Sequence, residues 1–269
     1  MPAAPPTLAR FVASLPTMVY AQKGNTLYVN LYTDSKSTLN LNGQEIEIIQ
    51  NTQYPWDGDV IIEVNSTSPF NGQIMLRIPS WVNNSPVWGN LYNYLPQNIS
   101  PVSIKLNGEI QNVQPDETGY VILSPKENRS KITIHFPMEI RQVVALDSIS
   151  HLKGKVALQR GPMLYCFEQQ DNNQDLSSLT IKNTGSLETQ DKTFSFGETR
   201  VITNGEATAI PYFLWSNRGE NKMKFGSGKN NKLPYKKIMR LMSILTISAC
   251  LLASCESGKE EGLHCHVLF

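Results

Sequence analysis

A two-residue hydrophobic period, punctuated twice by Asn-Gly, constrains this chain more than any other feature. Leu27, Val29 and Leu31 alternate with Tyr28 and Asn30, which describes a strand with one buried face. Leu39 and Leu41 lead into Asn42-Gly43, and Ile46 and Ile48 lead away from it. Asn-Gly between alternating runs predicts a tight hairpin, because a type I′ turn needs positive φ at both central residues. Ile104-Lys105-Leu106 runs into a second such pair, Asn107-Gly108. Val60, Ile62 and Val64, then Ile74, Leu76 and Ile78, then Tyr120 and Ile122, then Ile132, Ile134 and Phe136 continue the series. Short alternating segments broken by Pro and Gly predict an all-β chain of antiparallel sandwich domains, not a parallel sheet with crossover helices.

One stretch departs from this period. Pro5 to Ser14 predicts a helix, with Pro5 and Pro6 in a first turn that needs no N–H and Leu8, Phe11 and Val12 on one face. A second strand group follows Arg141, with Lys155–Gln159 and Met163–Phe167, and Ala209–Trp215 is the last apolar run. Residues 170 to 192, rich in Asn, Gln and Ser, read as a surface excursion, and the Lys- and Asn-rich stretch from Arg218 as a disordered linker.

The C-terminal tail has a different character. Lys236, Lys237 and Arg240 precede an uncharged run from Leu241 to Ala253, followed by Leu252-Ala253-Ser254-Cys255. This has the form of a bacterial lipobox, in which the cysteine is lipidated and becomes a new N-terminus. The run is shorter than the ~20 residues that span a bilayer, so a membrane partner is not expected. Two readings stay open: a lipid anchor at Cys255, or the end of one reading frame joined to the start of another, the second being favoured.

Charge and motifs exclude several functions. Twenty-four Lys and Arg against 23 Asp and Glu leave a net charge of +1, which gives no electrostatic funnel for nucleic acid. HExxH, CxxC and GxSxG do not occur. Gly226-Ser227-Gly228-Lys229 lacks the Ser or Thr that a phosphate loop places after its lysine. His135 and His151 have no second ligand at metal spacing, and His264-Cys265-His266 falls in the tail. Asp57 and Asp59 flank Gly58, where carboxylates commonly accept from nearby backbone N–H groups. Cys166, between apolar strand residues, reads as a small buried hydrophobe. Asn65, Asn98 and Asn128 begin glycosylation sequons, taken as chance matches. Trp56, Trp81 and Trp88, with Tyr54, Tyr92 and Tyr94, could form a sugar-stacking platform; packing between sheets is the favoured alternative.

Several strings carry a family resemblance. They are Tyr20-Ala21-Gln22-Lys23-Gly24-Asn25-Thr26-Leu27-Tyr28-Val29-Asn30-Leu31-Tyr32, Tyr54-Pro55-Trp56-Asp57-Gly58 and Leu76-Arg77-Ile78-Pro79-Ser80-Trp81. Gly154-Lys155-Val156-Ala157-Leu158-Gln159-Arg160-Gly161-Pro162 and Ala209-Ile210-Pro211-Tyr212 follow in the same order. From about Pro5 to Glu220 the chain resembles the C-terminal portion of the β-L-arabinofuranosidases of glycoside hydrolase families 127 and 146. The resemblance implies a catalytic (α/α)6 barrel followed by β-sandwiches, with Pro5 to Ser14 as the last barrel helix. It also implies zinc in the intact enzyme, held by three thiolates and a glutamate, with one cysteine as nucleophile. Two of those cysteines lie in a Cys-Cys-Pro motif; here Ala3 and Ala4 precede Pro5, with Ala3 at the nucleophile's place. No catalytic, cofactor or metal residue is therefore carried over.

On this reading residues 1–17 are a barrel remnant, 18–140 a first sandwich, 141–217 a second, smaller sandwich region, 218–235 a linker and 236–269 the lipoprotein-signal-like tail. The expected function is that of a C-terminal segment of a bacterial glycosidase acting on plant-type arabinose-containing glycans, without its barrel and inactive alone. The missing barrel is its expected partner, and the intact enzyme is periplasmic or cytoplasmic. A free-standing carbohydrate-binding module and a lipid-anchored surface β protein are the alternatives.

Overall fold

The structure, a computed structural model, describes residues 6–87, 89–95, 100–181 and 187–226. Ala3, Ala4, Trp88, Asn98, Ser227 to Lys229 and the tail with Cys255 and His264-Cys265-His266 lie outside the described residues. Strands in antiparallel sheets make up most of it, with one short helix, Pro6–Ser14. The Ser14 hydroxyl donates to the Phe11 carbonyl at 2.7 Å, and Pro16 then closes the turn Leu15–Met18. Leu8, Phe11 and Val12 are 53%, 37% and 55% exposed, so the helix leaves its apolar stripe open.

The chain divides into two compact units. The first, residues 6–79 and 101–136 of the described chain, is a pair of facing sheets. Its four-stranded sheet runs Tyr20–Lys23, Thr26–Val29, Gln73–Arg77, Tyr120–Leu123 in spatial order. Its six-stranded sheet runs Ser35–Leu41, Gln44–Thr52, Asp59–Ser66, Arg129–His135, Ser103–Leu106, Glu109–Ile110. Alternation decides which side chains point inward: Leu27, Val29, Ile46, Ile48, Val60, Ile62, Ile74, Leu76, Ile132 and Ile134 are fully buried. Between the sheets the Gln50 side-chain amide donates to the Tyr20 hydroxyl at 2.9 Å and to the Leu31 carbonyl at 3.2 Å.

Both predicted hairpins form. Leu41 pairs with Gln44 across Asn42 (φ 50°) and Gly43 (φ 86°), and Leu106 pairs with Glu109 across Asn107 (φ 51°) and Gly108 (φ 90°). Two local expectations differ. The strand Thr26–Val29 ends before Leu31, which is 39% exposed. Thr26–Val29 pairs in parallel with Gln73–Arg77, the one parallel pair among the described strands, since the six-stranded sheet is built partly from the chain between them.

The second unit holds residues 80–100 and everything described after Pro137. Its eight strands share one hydrogen-bonded sheet, with Glu188–Phe194 at one end and Tyr92–Leu95 at the other. Between Pro79 and Pro101 the chain thus leaves the first unit, and Tyr92–Leu95 pairs with Ile140–Ala145 through Tyr94↔Val143. The stretch 170–192, read as a surface excursion, is more structured than its composition suggests. Glu188–Phe194 is a strand, Leu176 and Leu179 are buried, and the buried Asn172 side chain bonds the backbone of both Glu168 and Thr208.

Candidate functional site

The residues singled out in the sequence do not converge. Trp81 and Tyr94 are buried at 6% and 2% exposure, so neither ring is available as a stacking face. Tyr54 sits edge-on to Tyr32 and Phe136 at 6.0 and 5.9 Å, a packing role, and Trp56 is half-buried. Asp57 accepts from the Gly58 N–H at 2.6 Å, the local turn role expected of it. Asp59 instead meets His135: the strands place the two directly opposite, and Oδ1 lies 2.6 Å from Nδ1. Both side chains are more than half exposed, where an ion pair contributes little. His151 lies apart in the turn Ser150–Leu152, and Cys166 is fully buried, its thiol pushed up chiefly by burial.

The densest charge cluster lies in the second unit, where composition gave no hint of it. Glu168 ends the apolar strand Met163–Glu168 with its side chain wholly buried, and Asp171 follows in a single turn of 3-10 helix with its side chain 3% exposed. Arg218 donates to both carboxylates, and Lys192 reaches Asp171 at 3.0 Å. The second oxygen of Glu168 accepts from the Ser216 N–H at 2.7 Å. Burial pushes Asp171 up, but donation from Arg218 and then Lys192 outweighs it and holds the carboxyl below its usual range. Arg218 is held up by Asp171 and lies 4.6 Å from the centre of the Phe194 ring.

Two carboxylates and two cations neutralise one another here, and every carboxylate oxygen is occupied. By joining residues 168, 171, 192 and 218 the cluster acts as a clasp. It anchors the segment read from composition as a disordered linker: Arg218 is pinned, and Met223–Lys224 pairs with Phe167 and Glu168 as a strand. Lys224 Nζ donates to the carbonyls of Leu176, Ser177 and Leu179, satisfying the end of a 3-10 turn. The missed signal was Glu168 itself, a carboxylate closing an apolar strand, since a buried acid needs a cation from elsewhere in the chain.

Among the described residues no three His, Cys, Asp or Glu side chains come together to hold a metal ion. Cys166, the described cysteine, is a buried strand residue next to no other thiol. A zinc site of three thiolates and one carboxylate therefore does not fit the described residues. Nor is any helix among them long and apolar enough to cross a membrane.

Known proteins resemble this architecture over most of the chain. The model of the β-L-arabinofuranosidase family 127 middle domain matches residues 26–138, and that of the glycoside hydrolase family 127 C-terminal domain matches residues 140–225. A non-reducing end β-L-arabinofuranosidase of Bifidobacterium longum is 28% identical over 178 residues, which is 64% of this chain and 24% of that protein. The crystal structure of a family 127 β-L-arabinofuranosidase from Geobacillus stearothermophilus superposes with a TM-score of 0.70 at 28% identity, over 84% of this chain and 37% of that one. A second solved family 127 β-arabinofuranosidase gives 0.73 at 30% identity, over 83% and 38%. The chain thus spans about a quarter of the length of the curated relative and under two-fifths of the solved ones. Two adjoining domain models, matched in order along the chain, place it in glycoside hydrolase family 127, to which it belongs through its middle and C-terminal domains.

Proposed function

We propose that the described residues serve as the non-catalytic β domains of a β-L-arabinofuranosidase-like glycoside hydrolase that acts on plant-type arabinose-containing glycans. The observation that carries this reading is the consecutive middle-domain and C-terminal-domain matches, over residues 26–138 and 140–225. The described residues supply no activated nucleophile: the buried thiol of Cys166 is held protonated, and the buried carboxylates are locked in ion pairs. On this reading the β units hold and stabilise a catalytic domain, and the chain by itself turns nothing over.

Two assays test it. The purified chain is expected to release no arabinose from β-L-arabinofuranosides, with or without zinc and reductant. Turnover that survives replacement of every cysteine would overturn the non-catalytic assignment. In a chimera, this chain replaces the β domains of the Geobacillus enzyme behind that enzyme's own catalytic domain. Soluble protein that releases arabinose supports the reading; a chimera in which both halves fold yet no sugar is released counts against it.

A further inference from the structure

The outer face of the four-stranded sheet in the first unit is built as a grid. Strand pairing sets Thr26 beside Gln73, Tyr28, Met75 and Ile122 in the next row, and Arg77 beside Tyr120 in a third; Ser124 and Asn30, one residue beyond their strands, continue the first and third rows by alternation. Their neighbours Leu27, Val29, Ile74, Leu76, Val121 and Leu123 all point into the core, so these nine side chains point out. Ile122 is 43% exposed, and Tyr28, Met75, Arg77 and Tyr120 are half-buried. The Tyr28 and Tyr120 rings meet at 5.5 Å and 89°, and the Tyr120 hydroxyl donates to Asn30 Oδ1 at 2.7 Å. Beyond the first row the face opens into a recess of ≈ 360 Å³ between Thr26, Gln73 and Ser124 on one side and Phe70, Asn71 and Lys126 on the other.

An aromatic and aliphatic row between two hydrogen-bonding rows matches the surface of a sugar, whose ring faces carry C–H groups and whose rim carries hydroxyls. The Tyr rings offer apolar area with little entropy to lose. Gln73, Thr26, Ser124 and Asn30 offer donors and acceptors at the rim. Charge is confined to the margins: Arg77 is hydrogen-bonded to Tyr120, Lys23 stands opposite Thr26 on the neighbouring strand, and Lys126 lines the recess, whereas the Tyr28–Met75–Ile122 row carries none. The grid measures roughly 10 by 13 Å from strand spacing and rise, well below the ~800 Å² per partner of a stable protein interface. The recess is within the ~300–1,000 Å³ of small-ligand clefts.

We propose that this face binds a neutral oligosaccharide, with the Tyr28–Met75–Ile122 row under the sugar rings and the recess taking one end of the glycan. The site stands apart from the non-catalytic reading above and rests on it only for the choice of arabinose among neutral sugars.

The test is calorimetric titration of the full chain with arabino-, xylo- and cello-oligosaccharides and with polygalacturonate, at low and high salt. Salt-independent binding of a neutral oligosaccharide, weakened about tenfold or more by Tyr28→Ala and by Gln73→Ala but unchanged by Ile110→Ala on the other sheet, supports the site. Thermal unfolding of each variant shows that a loss is not a folding failure, and Ile122→Asp provides a second probe on the outer face. Binding of the arabino-oligosaccharides supports the choice of arabinose as well. Binding of only the xylo- or cello-oligosaccharides with the same residue dependence supports the site and removes arabinose from the functional reading. No binding at millimolar concentration, binding untouched by both substitutions, or salt-sensitive binding of polygalacturonate alone overturns the proposal.

Discussion

The guanidinium carbon of Arg141 lies 3.5 Å from the centre of the Tyr94 ring. Arg141 belongs to the strand Ile140–Ala145, whereas Tyr94 comes from the segment that interrupts the first unit. The same guanidinium donates to the Trp81 carbonyl at 3.3 Å and to Asn84 Oδ1 at 2.5 Å. One buried cation thus ties three points of residues 80–100 to the second sheet. Only a planar fork can stack on a ring and donate in its own plane at once.

Arg141→Lys is therefore not conservative. It is expected to cost about 1.5–3 kcal/mol, the range for hydrogen bonds to a charged group. Urea unfolding gives the size of the loss, and hydrogen exchange gives its location. Amides of Tyr92 to Leu95 should lose protection well before those of Met163 to Glu168. Uniform loss across both strands would show that Arg141 is not a local tie.

The Arg218 clasp should govern acid stability of the second unit. Arg218→Ala leaves the buried Glu168 carboxylate without a cation and Asp171 with Lys192 alone, and is expected to cost about 3–5 kcal/mol. The folded carboxyl of Asp171 is held below its unfolded value. Its contribution is fully present above the ordinary carboxylate pKa of ~3.9 and is lost as pH falls through the lower folded value. Unfolding measured from pH 6 downward should show a shallower acid limb for Asp171→Asn than for the unaltered chain. Identical limbs would remove Asp171 from the acid transition.

Cys166 should be chemically silent while the second unit is folded. Its side chain is fully buried, and desolvation first, with Glu168 and Asp171 adding to it, raises the thiol far above neutrality. Mass spectrometry after brief iodoacetamide treatment should find Cys166 unmodified in buffer and alkylated in denaturant. Rapid alkylation in buffer would mean that the strand Met163–Glu168 opens locally.

Gly43 sits at φ 86° in the first Asn-Gly turn, where its N–H is held by Asn40 Oδ1 at 2.7 Å. A Cβ there meets no neighbouring atom, so the cost of Gly43→Ala is the backbone conformation alone, about 1–2 kcal/mol. A denaturation midpoint unchanged by this substitution would show that the turn relaxes into another type.

Two positions show where sequence reasoning reached the fold and where it stopped. At Asn42-Gly43 the residues needed for the turn are adjacent, and the alternating runs on either side set the register, so the hairpin could be read directly. At Glu168 the sequence displayed an acid closing an apolar strand, but its partner Arg218 lies 50 residues away in a stretch whose composition suggests disorder. The same holds for Asp59 and His135, which only strand pairing brings opposite one another.

The sequence by itself determined the all-β class, the single N-terminal helix and the family, because hydrophobic period, turn chemistry and ordered motifs are properties of neighbouring residues. Tertiary structure alone decided which unit residues 80–100 join, that Trp81 and Tyr94 are buried beside Arg141, and that Arg218 closes the second unit. Those outcomes depend on which distant strands pair, and burial then compels each charged or aromatic group to find its partner. The nine-residue grid on the first unit lies between the two cases. Its inward and outward alternation was legible along each strand, but its rows exist only once the strands are set side by side.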